Sequence, residues 1–202
     1  MIGVVVEGIG EIETVRAYIS KIDQSLKIFG RPLYADLQPK ANPKVIVAAA
    51  RNVINQLRRR GATKVVVIID LEDRPCPVRF ASELKEAFCS AHPDLLITPV
   101  VKHHCLENWM IGDPDALRKM QKRFNKFESI ENAIKRGGAD MVKDPLKLLD
   151  SCAIKTSFHK TMDPPRIAAH QDIDKLSISS RSFKKFLCEI GHSPCLSKKD
   201  KN

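Results

Sequence analysis

Two acidic clusters stand where apolar runs stop. Val4-Val5-Val6 leads into Glu7, with Gly8-Ile9-Gly10-Glu11 directly after it, and Val65-Val66-Val67-Ile68-Ile69 leads into Asp70-Leu71-Glu72-Asp73. Continuous β-branched runs make strands buried on both faces, and an open parallel sheet binds its ligands beyond the carboxyl ends of its strands. Carboxylates gathered at one sheet edge repel each other unless protons or cations intervene. Hard oxygen ligands with open positions suit Mg²⁺ or Mn²⁺ better than zinc. Such an ion would lower the pKa of a bound water and neutralise charge on a phosphoryl group. Glu7, Asp70, Glu72 and Asp73 are therefore candidate metal ligands. Glu11, in the first turn of a helix, complements the helix dipole and could also approach the metal from above Glu7.

A third strand end presents Lys102-His103-His104, then Cys105. Neighbours in an extended chain point to opposite faces, so these residues are not expected to share a zinc ion. Lys102 and His103 read instead as contacts to phosphate. Glu107, two residues before Trp109, is either a further ligand or positioning acid, or a helix-surface acid beside a core anchor. His159 and Lys160 either clamp a phosphate near the metal or sit on a solvated surface. Arg118, Lys119, Lys122, Arg123 and Lys155 form a candidate nucleic-acid backbone face, whose binding would fall steeply with salt. One Trp and two Tyr offer few stacking platforms, so base-specific readout is not expected.

The composition agrees with a polyanionic partner. The net charge is +10 over 202 residues, roughly +3 before residue 102 and roughly +7 from there on. An apolar fraction of 43% is ordinary for a globular domain. There is no apolar run of membrane-spanning length and no leader-like N-terminus, which predicts a cytoplasmic protein without a membrane partner. Six scattered cysteines lack any Cys-x-x-Cys pair, so reduced thiols are expected.

The elements that must position these residues alternate. Strands are predicted at 2–6, 33–37, 64–69 and 95–101. Helices are predicted from Glu11 to about Phe29, from Pro43 behind an Asn42 cap to Arg60, and from Phe80 to about Ala91. This is an α/β fold with an open, mostly parallel four-stranded sheet flanked by helices. Residues 1–110 form that core and 111–196 a basic helical extension packed on it. Asp113-Pro114, Asp144-Pro145, Asp163-Pro164 and Ser180 or Ser182 mark helix starts in the extension, and 197–202 is a charged, disordered tail.

The Glu-Gly-Ile-Gly-Glu start after a first strand, with Asp70-Leu71-Glu72 after a third, resembles the Toprim domain. That domain is shared by topoisomerases, bacterial primases and nucleases of the overcoming-lysogenisation-defect type. The resemblance covers roughly residues 1–110 and implies Mg²⁺-dependent phosphodiester chemistry. Glu7 would be general acid or base and touch metal, and Asp70 and Glu72 would coordinate it. The family has Asp where this chain has Glu72, and Asp73 could take part instead. Pro75-Cys76-Pro77, Leu106-Glu107-Asn108-Trp109, Lys155-Thr156-Ser157-Phe158-His159-Lys160 and Ser182-Phe183-Lys184-Lys185-Phe186 extend the likeness. They make the chain similar to small bacterial Toprim-like proteins linked to ATPases in defence loci. This implies a nuclease effector against phage with an ABC- or AAA-type ATPase partner. Self-association into a homo-oligomer stays open.

Two competing classes remain at this point: a non-catalytic subunit regulating an ATPase through a degenerate metal site, and an enzyme acting on a small phosphorylated molecule in a closed pocket. The chain has no Gly-x-x-x-x-Gly-Lys-Ser/Thr loop. Its Gly8-x-Gly10 lacks the third glycine of a dinucleotide fingerprint, and Glu7 would face the pyrophosphate.

Overall fold

The structure, a computed structural model, describes residues 1–22 and 24–192. The expectation of a disordered tail at 197–202 lies outside these residues. Four strands, β1 (Ile2–Val6), β2 (Leu33–Tyr34), β3 (Lys64–Asp70) and β4 (Leu96–Lys102), make one all-parallel sheet in the order β2-β1-β3-β4. From β1 the chain passes to β2 on one side and then back across to β3. The reversal therefore falls between β1 and β3, where an open α/β sheet leaves a crevice at its carboxyl edge.

Strand alternation divides the core between the two faces. Val4, Val6, Val66, Ile68 and Val100 face one layer, and Val5, Val65, Val67 and Ile69 face the other. The second layer is closed by α2 (Pro43–Arg59) and α3 (Pro77–Ala91). Asn42 caps α2 by accepting from the Lys44 N–H at 3.0 Å, ahead of Pro43. The first layer is closed by α1 (Glu11–Ile19) and by the short helices that follow β4. These are α4 (Leu106–Ile111), α5 (Pro114–Arg118), α6 (Phe127–Ile134), α7 (Pro145–Cys152), α8 (Asp163–His170), α9 (Ile173–Ser179) and α10 (Arg181–Glu189). Their apolar residues run into the same cluster as the sheet face, so the helical half completes the core instead of standing apart.

Trp109 anchors that layer. It is fully buried, edge-on to Tyr18 and Phe183 and stacked on Phe186. Its indole N–H donates to Ser182 Oγ at 2.8 Å, which satisfies the one polar group a buried tryptophan brings. Gln171 accepts from the Tyr18 hydroxyl and donates to the Trp109 carbonyl at 2.7 Å, tying α1, α4 and the end of α8 together.

Several expectations change. Strand β2 covers Leu33–Tyr34 instead of 33–37, and α3 starts at Pro77 instead of Phe80. Helix α1 ends at Ile19 instead of near Phe29, because the chain must turn back to bring Ile28 alongside Ile2. There Ile2 N–H donates to Lys27 O at 2.8 Å and Phe29 N–H to Ile2 O at 2.9 Å. Asp113 precedes α5 but does not cap it with its side chain; it accepts from the Asp172 N–H at 2.8 Å. The cysteines among the described residues are free thiols. No helix among those residues is long and apolar enough to cross a membrane.

Candidate metal centre

The β1–β3 register places Val6 beside Ile68, so Glu7, one residue past the end of β1, lies next to the last residues of β3. Glu7 reaches across this gap: its Oε2 accepts the backbone N–H of Asp70 at 2.9 Å. Gly8 and Gly10 turn the chain into α1, and its first residue, Glu11, points back to the same place. One oxygen from each of Glu7, Glu11 and Asp70 lies within 4.8 Å of the others, so this group could hold a metal ion.

Strand β4 supplies the counter-charge. Lys102 pairs with Asp70 in the β3–β4 register, and its side chain is fully buried. Its Nζ contacts Glu11 Oε1, and lies 2.7 Å from Asp70 Oδ1 and 3.7 Å from Glu7 Oε1. The Asp70 approach is an ion contact without hydrogen-bond direction, which leaves Asp70 Oδ1 without a directed partner. Glu11 Oε2 is buried with no hydrogen-bond partner among the described residues. An orphaned carboxylate oxygen beside two further acids fits a hard divalent cation. The ammonium already in the group works against one.

Burial, the largest influence, pushes the Glu7 pKa up to about 9; Lys102 opposes this, and Asp70 and Glu11 add to it. Burial likewise raises Glu11, again against Lys102. For Lys102 burial disfavours the charge, but Asp70, Glu11 and Glu7 outweigh it and hold its pKa well above the lysine range. Without metal, Glu7 is thus protonated at neutral pH while Lys102 stays charged.

The acids open onto a cleft of about 520 Å³ between the sheet edge and the helical half. Glu72, Glu107, Lys143, Lys160 and Thr161 also line it. Glu107 lies on α4 with its carboxylate 3.9 Å from Lys160 Nζ and adds to the upward push on Glu11. Close backbone approach fixes the lip at Lys160 and Thr161: a Cβ on Gly10 would meet Thr161 Cγ2 at 3.1 Å and the Lys160 carbonyl at 3.3 Å. Buried Asn108 donates to the Ala139 and Val142 carbonyls at 2.8 and 2.9 Å, which sets the segment carrying Lys143. A larger groove of about 740 Å³ lies between α2 and α3, away from this edge, and gathers no comparable acid group.

A family model described as a domain of unknown function, DUF4276, matches residues 6–191. The chain belongs to this family. No curated protein and no solved structure matches it. The DUF4276 match takes in Glu7, Glu11, Asp70, Lys102 and Glu107 together with Lys143 and Lys160, so both walls of the cleft lie inside one family unit.

Several sequence-based assignments change against this geometry. Lys102 is no contact for a nucleic-acid backbone, because it is wholly buried among carboxylates. Asp73 is not part of the acid group; it is exposed and paired with Lys40 at 2.8 Å. Glu72 lines the cleft in a left-handed backbone conformation (φ 52°), and its nearest cation is Lys40 at 3.7 Å. His103 and His104 do not diverge as an extended pair would: His104 takes φ 68°, and the rings meet edge to face with centroids 4.6 Å apart. Burial and then His103 push the His104 pKa down.

Arg118 is held by Asp115 at 3.2 Å and by Glu131. Arg123 is a structural clamp: it grips Asp163 at 2.6 Å and donates to the Ile154, Thr156 and Ser157 carbonyls. His159 is exposed and bonds within its own loop, its Nδ1 facing the Thr161 hydroxyl at 3.1 Å and the Met162 N–H at 3.3 Å. Lys119, Lys122 and Lys155 are exposed, although Lys119 reaches the His170 carbonyl at 3.3 Å.

Lys102, Lys143, Asn108 and the clamping role of Arg123 were missed as site-building residues. Several acids at one edge demand a cation, and Lys102 is the one the β3–β4 register sets beside Asp70.

Proposed function

We propose that this DUF4276 chain is a metal-dependent nuclease. Mg²⁺ or Mn²⁺ would be held by Glu7, Glu11 and Asp70, and DNA or RNA would lie in the cleft between these acids and Lys143 and Lys160. The observation that carries the reading is the convergence of three carboxylates from β1, α1 and β3, with Glu11 Oε2 buried and without a hydrogen-bond partner among the described residues. The Toprim resemblance, carried by the same two strand ends, agrees with it. A bound divalent ion would supply charge neutralisation at the phosphoryl oxygens and a more acidic water.

The remaining roles fall to the chain's own side chains. Lys160 and Lys143 hold the phosphate. Glu7, raised to about 9 without metal, gives up its proton when the ion binds, and an acid or base role for it rests on the Toprim resemblance. Glu107 orients Lys160. Exposed Lys122 and Lys155 are retained as backbone contacts. The setting proposed is the cytoplasm, with phage defence and an ATPase partner resting on the resemblance alone.

A second reading has one observation in its favour. Lys102 already occupies the acid group, as expected of a degenerate metal site in a regulatory subunit of an ATPase. One experiment separates the two. The purified protein, Glu7→Gln and Asp70→Asn are incubated with plasmid DNA and with bulk tRNA in Mg²⁺ or Mn²⁺, with and without a neighbouring ATPase. The nuclease reading expects cleavage by the parent protein and a loss of at least about 100-fold in each variant. Equal cleavage by all three proteins would reject the site, and no cleavage in any combination would favour the regulatory subunit.

A further inference from the structure

We propose that Lys102 is the resident cation of the acid group and keeps its affinity for divalent metal low. The inference rests on the metal-binding reading above and concerns a residue to which that reading gives no role.

Lys102 is held in place from both ends. Its backbone is the last of β4, paired with Asp70, and its carbonyl accepts the Leu71 N–H at 3.0 Å. Its stem and Nζ are fully buried, so the ammonium has no solvated alternative without displacing the strand end. The acids divide their oxygens around it. Glu11 gives Oε1 to Lys102 and leaves Oε2 free; Glu7 gives Oε2 to the Asp70 N–H and keeps Oε1 at 3.7 Å from Nζ. The group is therefore assembled around a monovalent charge before any metal arrives.

A divalent ion bound by these acids must share them with a fixed positive charge, and like charges interact strongly where water is excluded. When ionised, the three carboxylates outnumber the one ammonium, so the site attracts a cation, but less than the same acids would without Lys102. Lys102 thus serves two ends. It lets three buried acids coexist without metal, and it tunes the site toward loose, exchangeable occupancy.

The test uses the full chain and Mn²⁺ alone as probe, with binding followed by electron paramagnetic resonance of free Mn²⁺. Lys102→Met should bind Mn²⁺ about tenfold tighter or more, because a neighbouring positive charge is gone. Removing the lysine also leaves three buried acids uncompensated and could unfold the metal-free protein. In that case Mn²⁺ should restore the fold, and the rise of its melting temperature with Mn²⁺ concentration reports the affinity.

A second comparison sets Lys102→Met/Glu11→Gln against Glu11→Gln alone, two proteins with fewer acids to compensate. The double variant should bind more tightly. Equal or weaker binding without Lys102 in both comparisons would overturn the inference and leave the metal site standing. No Mn²⁺ binding by any protein, or binding unchanged by Asp70→Asn, would overturn the metal reading and the inference together.

Discussion

Glu7 accepts the backbone N–H of Asp70, so the acid that ends β1 is aimed by the backbone that ends β3. The bond crosses the topological reversal of the sheet and needs only an acceptor at Glu7, which makes Glu7→Gln a geometrically quiet substitution. It removes the titratable carboxyl and keeps the bond. The electrostatic consequences of Glu7 can therefore be separated from its structural ones.

The first consequence concerns stability. Burial raises Glu7 from the ordinary range to about 9. A raised pKa means the folded chain holds a proton that the unfolded chain releases, so this contribution is complete below about pH 4.5 and is lost as pH rises through about 9. In metal-free buffer the protein should lose up to about 4 kcal/mol between about pH 6 and pH 9, at about 1.4 kcal/mol per pKa unit. Urea denaturation at the two pH values measures it, and Glu7→Gln should flatten the difference. An equal slope in the variant would mean that Glu7 is not the group responsible.

The same proton should appear on metal uptake. A ligand must be deprotonated to bind, so metal binding near neutral pH displaces whatever proton the ligand carried. With Glu7 protonated in the metal-free state, about one proton should be released per Mn²⁺ at about pH 7, and affinity should rise with pH until the Glu7 pKa is passed. Calorimetry in two buffers of different ionisation enthalpy gives the proton count. Glu7→Gln should bind more weakly and release fewer protons, the remainder coming from Glu11, which burial also raises.

Gly10 offers a purely steric test of the lip at Lys160 and Thr161. Its φ of −64° is open to any residue, so alanine there meets no backbone strain. The added Cβ would instead press on Thr161 at 3.1 Å and on the Lys160 carbonyl at 3.3 Å. Gly10→Ala should cost about 1 kcal/mol in overpacking and shift Lys160 relative to Glu107. Under the nuclease reading it should lower activity more than Gly30→Ala, whose Cβ meets nothing within 4 Å. Activity equal to that of Gly30→Ala would show that the lip tolerates the push.

What the sequence made legible follows from the range of the forces involved. Strands β1 and β3 and the acids at their ends could be read because parallel strands buried on both faces need unbroken Val and Ile runs. Those runs stop where the polar edge begins. Strand β2, only Leu33–Tyr34, and β4, with Thr98-Pro99 inside it, carry weaker signals. The early end of α1 could not be read, since it depends on the bridge between Ile2 and Ile28, and helical spacing continues past Ile19 regardless. Lys102 was misjudged for a related reason. A lysine beside two histidines reads as an anion contact until the β3–β4 register sets it against Asp70. In the extension, side-chain hydrogen bonds to distant carbonyls decide which basic residues are free, and no local pattern encodes them.

Arg123 and Lys122 show how such neighbours should part experimentally. The Arg123 guanidinium satisfies Asp163, itself 2% exposed, and three carbonyls of the loop that leads to Lys160. Arg123→Ala should strip a buried carboxylate of its partner and cost about 3 kcal/mol. Arg123→Lys should rescue only part of this, because an ammonium lacks the planar fork. Lys122 and Lys155 are exposed, so Lys122→Ala and Lys155→Ala should leave urea denaturation unchanged within about 0.5 kcal/mol. If these lysines touch a nucleic-acid backbone, each loss should lower the slope of log K against log salt by about 1 for single- or double-stranded probes. A stable Arg123→Ala protein with a reduced salt slope would reverse the assignment and return Arg123 to the binding face.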